Sequence, residues 1–158
     1  MVATAIIWWG MSEARKLKER VELLKAVLSG LQSTKAQIEF GKFDIGYIFK
    51  KLPIDKNRTL FKICGEKIGQ TGIKSAWQNA VNTAFNDGIL KDEDKNIILQ
   101  LGDSLGMSDI GGQINNINMV VAELEKSIVL AEDENVRLAK VYRGCSVLLG
   151  VFIMIILI

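Results

Sequence analysis

An all-α fold, an antiparallel bundle of about six helices whose long first and last members run to apolar, membrane-associated termini, follows from three features of this sequence. Apolar residues recur at helical spacing over long stretches, and nowhere alternate for the length of a strand. A single proline in 158 residues leaves long helices unbroken. The two ends of the chain are free of charge, and all 38 charged side chains, 20 basic and 18 acidic, lie between them.

The first helix shows its period from Ser12 onward. Leu17, Val21, Leu24, Leu28 and Leu31 step by four, three, four and three, with Val27 beside them. Glu13 suits a first turn, and Gly41 ends the helix after Phe40. Asp44 then caps a short helix through Leu52, which Pro53 terminates. Asp55 or Asn57 starts a third, reaching Ile68 before Gly69 and Gly72. Thr71 is placed to cap a fourth, Ile73 to Asn86, stopped by Asp87 and Gly88. Asp92, Glu93 and Asp94 crowd the start of a fifth, where carboxylates complement the helix dipole, and it ends near Leu105 and Gly106. Ser108 or Asp109 opens the last helix, with an apolar stripe of Ile110, Ile114, Ile117, Val121, Leu124, Ile128, Ala131, Leu138 and Tyr142. Nothing breaks it before the chain ends, so it forms one rod of roughly 50 residues.

The ends divide the chain into residues 1–11, 12–143 and 144–158. From Gly144 to Ile158 there is no charge. At about 1.5 Å per residue this run spans roughly 22 Å, against ~30 Å of hydrocarbon, and Tyr142 and Arg143 at its edge extend it by interfacial placement and snorkelling. Val147, Leu148, Leu149 and Phe152 are its lipid-facing members. A run apolar on every face suits lipid better than the interior of so small a domain. Residues 1–11 are equally uncharged and carry Trp8 and Trp9, an interfacial pair. Eleven residues do not span a bilayer as a helix, and the segment lacks the basic start and small-residue cleavage site of a signal peptide. It reads as an interfacial stub or as the tail of a span beginning upstream. Arg15, Lys16, Lys18, Arg20 and Lys25 follow it, while Arg137, Lys140 and Arg143 precede the other end. Both basic clusters face the middle of the chain, which places the domain of residues 12–143 in the cytoplasm and makes the topology a hairpin.

The central domain offers little to catalysis. Histidine is absent, which removes the commonest general base and metal ligand together. Gly65 to Ser75 resembles a phosphate loop only superficially: Ile73 separates Gly72 from Lys74, and no strand leads in. Asp92, Glu93 and Asp94 lack calcium-loop spacing. Cys64 lies near Lys62 and Lys67 but has no partner for nucleophilic chemistry, so a packed thiol is expected. Cys145, at the membrane boundary, could carry a palmitoyl group. A net charge of +2 and scattered basic residues give no reason to expect nucleic acid. Trp77 shares an apolar face with Ala80, Val81 and Ala84 and reads as a core anchor. No enzyme activity, cofactor, metal or small-molecule substrate is expected.

The stretch Leu90 to Ile117 resembles the stage III sporulation protein AB family in the order and spacing of Gly102, Leu105, Gly106, Asp109, Gln113 and Ile117. The pair Ala76-Trp77 and the stretch Gln37 to Gly41 resemble it too, and the likeness covers essentially the whole chain. Where the family usually carries glutamate this chain has Asp94, and Asp44-Ile45 replaces a proline-leucine pair. The glycines and Asp109 have structural readings of their own, close packing and capping. The resemblance implies a non-enzymatic scaffold in the sporulation channel between mother cell and forespore, held in the mother-cell membrane and similar to platform proteins of type II secretion. It further implies a cytosolic ATPase of the same operon and other channel membrane proteins as partners, with self-association possible. Independently of the resemblance, exposed charge at the membrane-distal end, from Asp87 to Asp94 (with Asp92, Glu93 and Asp94 foremost) or from Lys50 to Arg58, is the expected docking surface. The alternative is a generic membrane-anchored helical adaptor in signalling or division.

Overall fold

A computed structural model describes the main chain of residues 2–41, 43–52, 59–106 and 109–157, and the side chains of residues 15–41, 43–52, 59–106, 109–141 and 145. Among these residues every regular element is helical: α1 (Val2–Gly41), α2 (Ile45–Lys51), α3 (Thr59–Thr71), α4 (Ile73–Ala84), α5 (Asp92–Ser104) and α6 (Ile110–Leu157). Each helix packs against the next in sequence, and α6 returns to α1, so the six close a ring. Direction alternates around it. Lys74 of α4 pairs with Asp103 of α5, Lys67 of α3 with Asn79 of α4, and Arg20 of α1 with Glu134 of α6, each an antiparallel register.

The apolar stripes of the sequence supply the interior. Val21, Leu24, Val27, Leu31 and Ile38 of α1 face Ile117, Val120, Leu124, Ile128 and Ala131 of α6, all buried. Trp77 holds the centre and is fully buried. Its ring lies 5.6 Å from Phe49 and 5.9 Å from Phe61, which themselves meet edge-on at 5.4 Å. Burying three aromatic side chains contributes on the order of 2–3 kcal/mol each. The indole N–H, which would be costly unpaired in so dry a place, donates to the Ile98 carbonyl at 2.8 Å.

Most helix ends fall where the sequence puts them, and three details differ. Thr71 does not cap α4: it is the last residue of α3, its hydroxyl donates back to the Lys67 carbonyl, and Gly72 (φ 79°) makes the turn alone. Gly69 does not stop α3, because a single exposed glycine costs a helix only about 1 kcal/mol. Ile110 is not a stripe residue in the core; it begins α6 at 44% exposure, and Val120 and Ser127 fill the face instead. The starts proposed at Asp55 and Asn57 lie outside the described residues.

The backbone of α1 and α6 is helical through the two apolar ends. The side chains of Trp8, Trp9, Tyr142, Arg143, Val147, Leu148, Leu149 and Phe152 lie outside the described residues. Among the described residues no helix is long and apolar enough to cross a membrane.

Candidate docking site

The antiparallel pairing of α1 with α6 sends the start of α1 and the end of α6 off one end of the bundle. The other end, where α1 finishes, carries a cluster of exposed apolar side chains. Phe40 is 88% exposed, Phe43 52% and Tyr47 49%, with Ile110 beside them. Local chemistry explains the position. Asp44 caps α2, accepting from the Gly46 N–H at 2.9 Å, so the chain reverses immediately after Phe43. Phe43, just ahead of the cap, and Tyr47, in the first turn of α2, bring their rings to 5.3 Å between centroids, tilted by 35°.

Between these rings and the start of α6 lies a shallow cavity of about 200 Å³, lined by Ile38, Phe43, Asp44, Ile45, Ile73, Gly106, Ile110 and Gln113. Gly106 adopts φ 74°, the left-handed conformation that lets the chain leave α5 and swing towards α6. Asp109 caps α6, accepting from the Gly112 N–H at 3.0 Å through its side chain and from the Gln113 N–H through its carbonyl. The residues picked out by family likeness therefore divide. Gly106, Asp109 and Gln113 build the end surface. Trp77, Gly102, Leu105 and Ile117 are buried beneath it, Gly102 because a Cβ there would sit 2.6 Å from Trp77 Cδ1.

The acidic group at the start of α5 is different from the expectation in two respects. It does not lie at the end distant from the chain termini: α4 descends from that end, so α5 begins level with Arg20 and Glu134. Nor is Asp94 an exposed charge. Its side chain is 1% exposed and locked to Arg20 at 2.7 Å. Asp92 and Glu93, pointing outward from the same turn, are exposed. The physical reason is the helix period. Position 94 falls on the face that carries Ile98 and Leu101, and Arg20 meets it there. The hydrogen bonds it donates to Asp94 hold the Arg20 guanidinium above its ordinary pKa, against the opposing effect of burial. Lys50 and Lys51 are exposed at the end of α2, and Arg58 lies outside the described residues.

Sequence reading missed Phe40, Phe43 and Tyr47. The signal was present: four aromatic residues in the ten from Phe40 to Phe49 are too many for a short link whose only buried ring is Phe49. The thiols have separate fates. Cys64 is buried, and burial pushes its pKa up to about 12, while Cys145 is exposed. Among the described residues no group of His, Cys, Asp or Glu is arranged to hold a metal ion.

Comparison with known proteins gives three findings. The family model for stage III sporulation protein AB matches residues 1–158. The stage III sporulation protein AB of Bacillus subtilis (strain 168) is 25% identical over 164 residues, covering 99% of this chain and 94% of that protein. A solved structure of stage III sporulation protein AB (SpoIIIAB) is similar with a TM-score of 0.64 and 26% identity, over 75% of this chain and 97% of that one.

Proposed function

The chain belongs to the stage III sporulation protein AB family, and from that premise we propose that it is a non-enzymatic platform, held by its two apolar ends in the mother-cell membrane and docking a cytosolic partner on the opposite end of its helical domain. The observation that carries this reading is the polarity of the bundle. Both long helices leave from one end, and the exposed rings of Phe40, Phe43 and Tyr47 crowd the other. Exposed aromatic clusters of this kind suit protein contact better than solvent. The sporulation operon's ATPase is the expected occupant, and a channel resembling a secretion platform is the expected setting. Asp92 and Glu93 offer a second, acidic surface, nearer the membrane in this arrangement.

The experiment uses the full chain in detergent micelles, mixed with that ATPase. Wild-type protein retains the ATPase, the Phe40→Ser/Phe43→Ser variant retains at least tenfold less, and Asp92→Lys/Glu93→Lys retains it unchanged. Retention lost only in the charge-reversed variant moves the dock to the start of α5. No retention by wild type favours an adaptor without a motor. Carbonate extraction of membranes from sporulating cells tests the anchor: the protein stays in the pellet, and its release into the soluble fraction removes the membrane from the reading.

A further inference from the structure

The outer faces of α4 and α5 form a groove of about 590 Å³ with an unusual lining: Gln78, Asn82, Asn96 and Gln100, with Leu99 and Asp103. All four carboxamide residues are exposed. Among the described residues none of the four has a hydrogen-bond partner, although nearby Asn79 and Asp103 are engaged with Lys67 and Lys74.

The spacing is regular. Gln78 and Asn82 stand four apart on one helix, Asn96 and Gln100 four apart on the other. The antiparallel register marked by Lys74 and Asp103 brings Gln78 within one residue of Gln100 across the groove, and Asn82 within one residue of Asn96. Four residues of α-helix rise about 6.0 Å. Two residues of extended chain rise about 6.6 Å. Carboxamides so spaced meet every second peptide unit along one edge of a strand, and a strand has two such edges. Each carboxamide supplies a donor and an acceptor, the complement of a peptide N–H and C=O.

We propose that this groove binds a polypeptide segment in extended conformation, holding its main chain between the two rows of carboxamides and leaving most of its side chains unread. Other ligand classes fit worse. Phosphate backbones require cations, and among the described residues the one charged lining residue is Asp103. A docked amphipathic helix requires an apolar stripe, and among the described residues Leu99 is the single large apolar one lining the groove. Its own backbone groups would also be satisfied internally, leaving the carboxamides idle. The proposal concerns a different surface from the exposed rings at the end of α1 and does not depend on the identity of any partner there.

The test presents the full chain in lipid nanodiscs to a displayed library of random linear dodecapeptides. An Asn82→Arg/Asn96→Arg variant, with helicity checked by circular dichroism, serves as the blocked control. Library members of unrelated sequence are retained on wild type and not on the control. An enriched peptide survives substitution of most of its side chains within about threefold. N-methylation of its odd-numbered or of its even-numbered amides weakens it about tenfold, the loss of one or two hydrogen bonds. One methylation pattern loses its effect in Asn82→Ala and the other in Asn96→Ala, because each edge of the strand addresses one helix. No enrichment over the control, binding that depends on particular side chains, or indifference to N-methylation overturns the proposal. Concentration-dependent dimerisation abolished by the same substitutions overturns it in favour of a second copy.

Discussion

Arg20 donates from Nε and Nη2 to the two carboxylate oxygens of Asp94, at 2.7 and 3.1 Å, and from Nη1 to Glu134 at 2.8 Å. The Arg20 and Asp94 side chains are 5% and 1% exposed, so both charges have left water. Such a transfer costs several kcal/mol per ion and is offset only by good geometry and full hydrogen bonding. Both are present. The pair is bidentate, Asp94 also accepts from the Lys91 N–H at 3.2 Å, and Lys91 Nζ closes on Glu134 at 2.6 Å. One guanidinium thereby ties α1, α5 and α6 at the end of the bundle from which the long helices depart.

Removing one partner strands the other. Asp94→Ala leaves a buried guanidinium half-paired and is expected to lower stability by about 3–5 kcal/mol. An apolar pair of similar volume, Arg20→Met with Asp94→Leu, is expected to regain most of that. Urea unfolding of the detergent-solubilised protein checks both. A double variant as unstable as the single would show that the pair itself, and not the orphaned charge, supplies the stability.

Gly102 lies under the central indole, where a Cβ would stand 2.6 Å from Trp77 Cδ1. Gly102→Ala must therefore displace the ring or part α4 from α5, at about 1–3 kcal/mol. Displacement also breaks the Trp77 hydrogen bond to Ile98. Expected together are a lower urea midpoint and a red-shifted emission in a Trp8→Phe/Trp9→Phe background, where Trp77 is the one tryptophan. Unchanged emission with unchanged stability would mean the helices approach less closely than this.

Cys64 provides a pH readout. Its thiol titrates at about 12 when folded, because burial disfavours the thiolate, and near 8.5–9 when unfolded. Between those values the unfolded state binds fewer protons. Stability contributed by the neutral thiol is therefore whole below about pH 9 and is lost as pH rises towards 12, with a limiting slope of about 1.4 kcal/mol per pH unit. Wild type is expected to lose stability over that window faster than Cys64→Ala. A maleimide at neutral pH is expected to label Cys145 promptly and Cys64 only on unfolding. Equal alkaline slopes, or prompt double labelling, would sink the assignment.

The fold was largely legible because it is local. Helix periods and stops reside in neighbouring residues, and Gly41, Asp44, Gly88 and Asp109 punctuate the chain as their chemistry requires. Burial of a particular polar residue is not local. Asp92, Glu93 and Asp94 are alike in type; the helix period turns Asp94 to the face of Ile98 and Leu101, and its burial is completed by Arg20, 74 positions earlier. The same limit hid the exposed rings at the end of α1. Nothing in the local sequence marks Phe40 and Phe43 as exposed, yet the folded bundle leaves both outside its core. Ile110 failed for a related reason: it continues the stripe of α6 in period, but the bundle ends one turn before it.

That last distinction separates interface from core and can be measured. Phe49 and Phe40 are the same residue type nine positions apart, at 1% and 88% exposure. Phe49→Ala empties space beside Trp77 and Phe61 and is expected to cost about 3–5 kcal/mol. Phe40→Ala removes almost no intramolecular contact and is expected to change stability by no more than about 0.5 kcal/mol. If the end of α1 is a docking surface, Phe40→Ala nevertheless weakens partner retention about tenfold or more, as truncation of an aromatic anchor does. Loss of binding at constant stability is the signature of an interface residue. A Phe40→Ala variant that unfolds as readily as Phe49→Ala would instead mean that Phe40 packs within this chain, and the docking surface would have to be sought elsewhere.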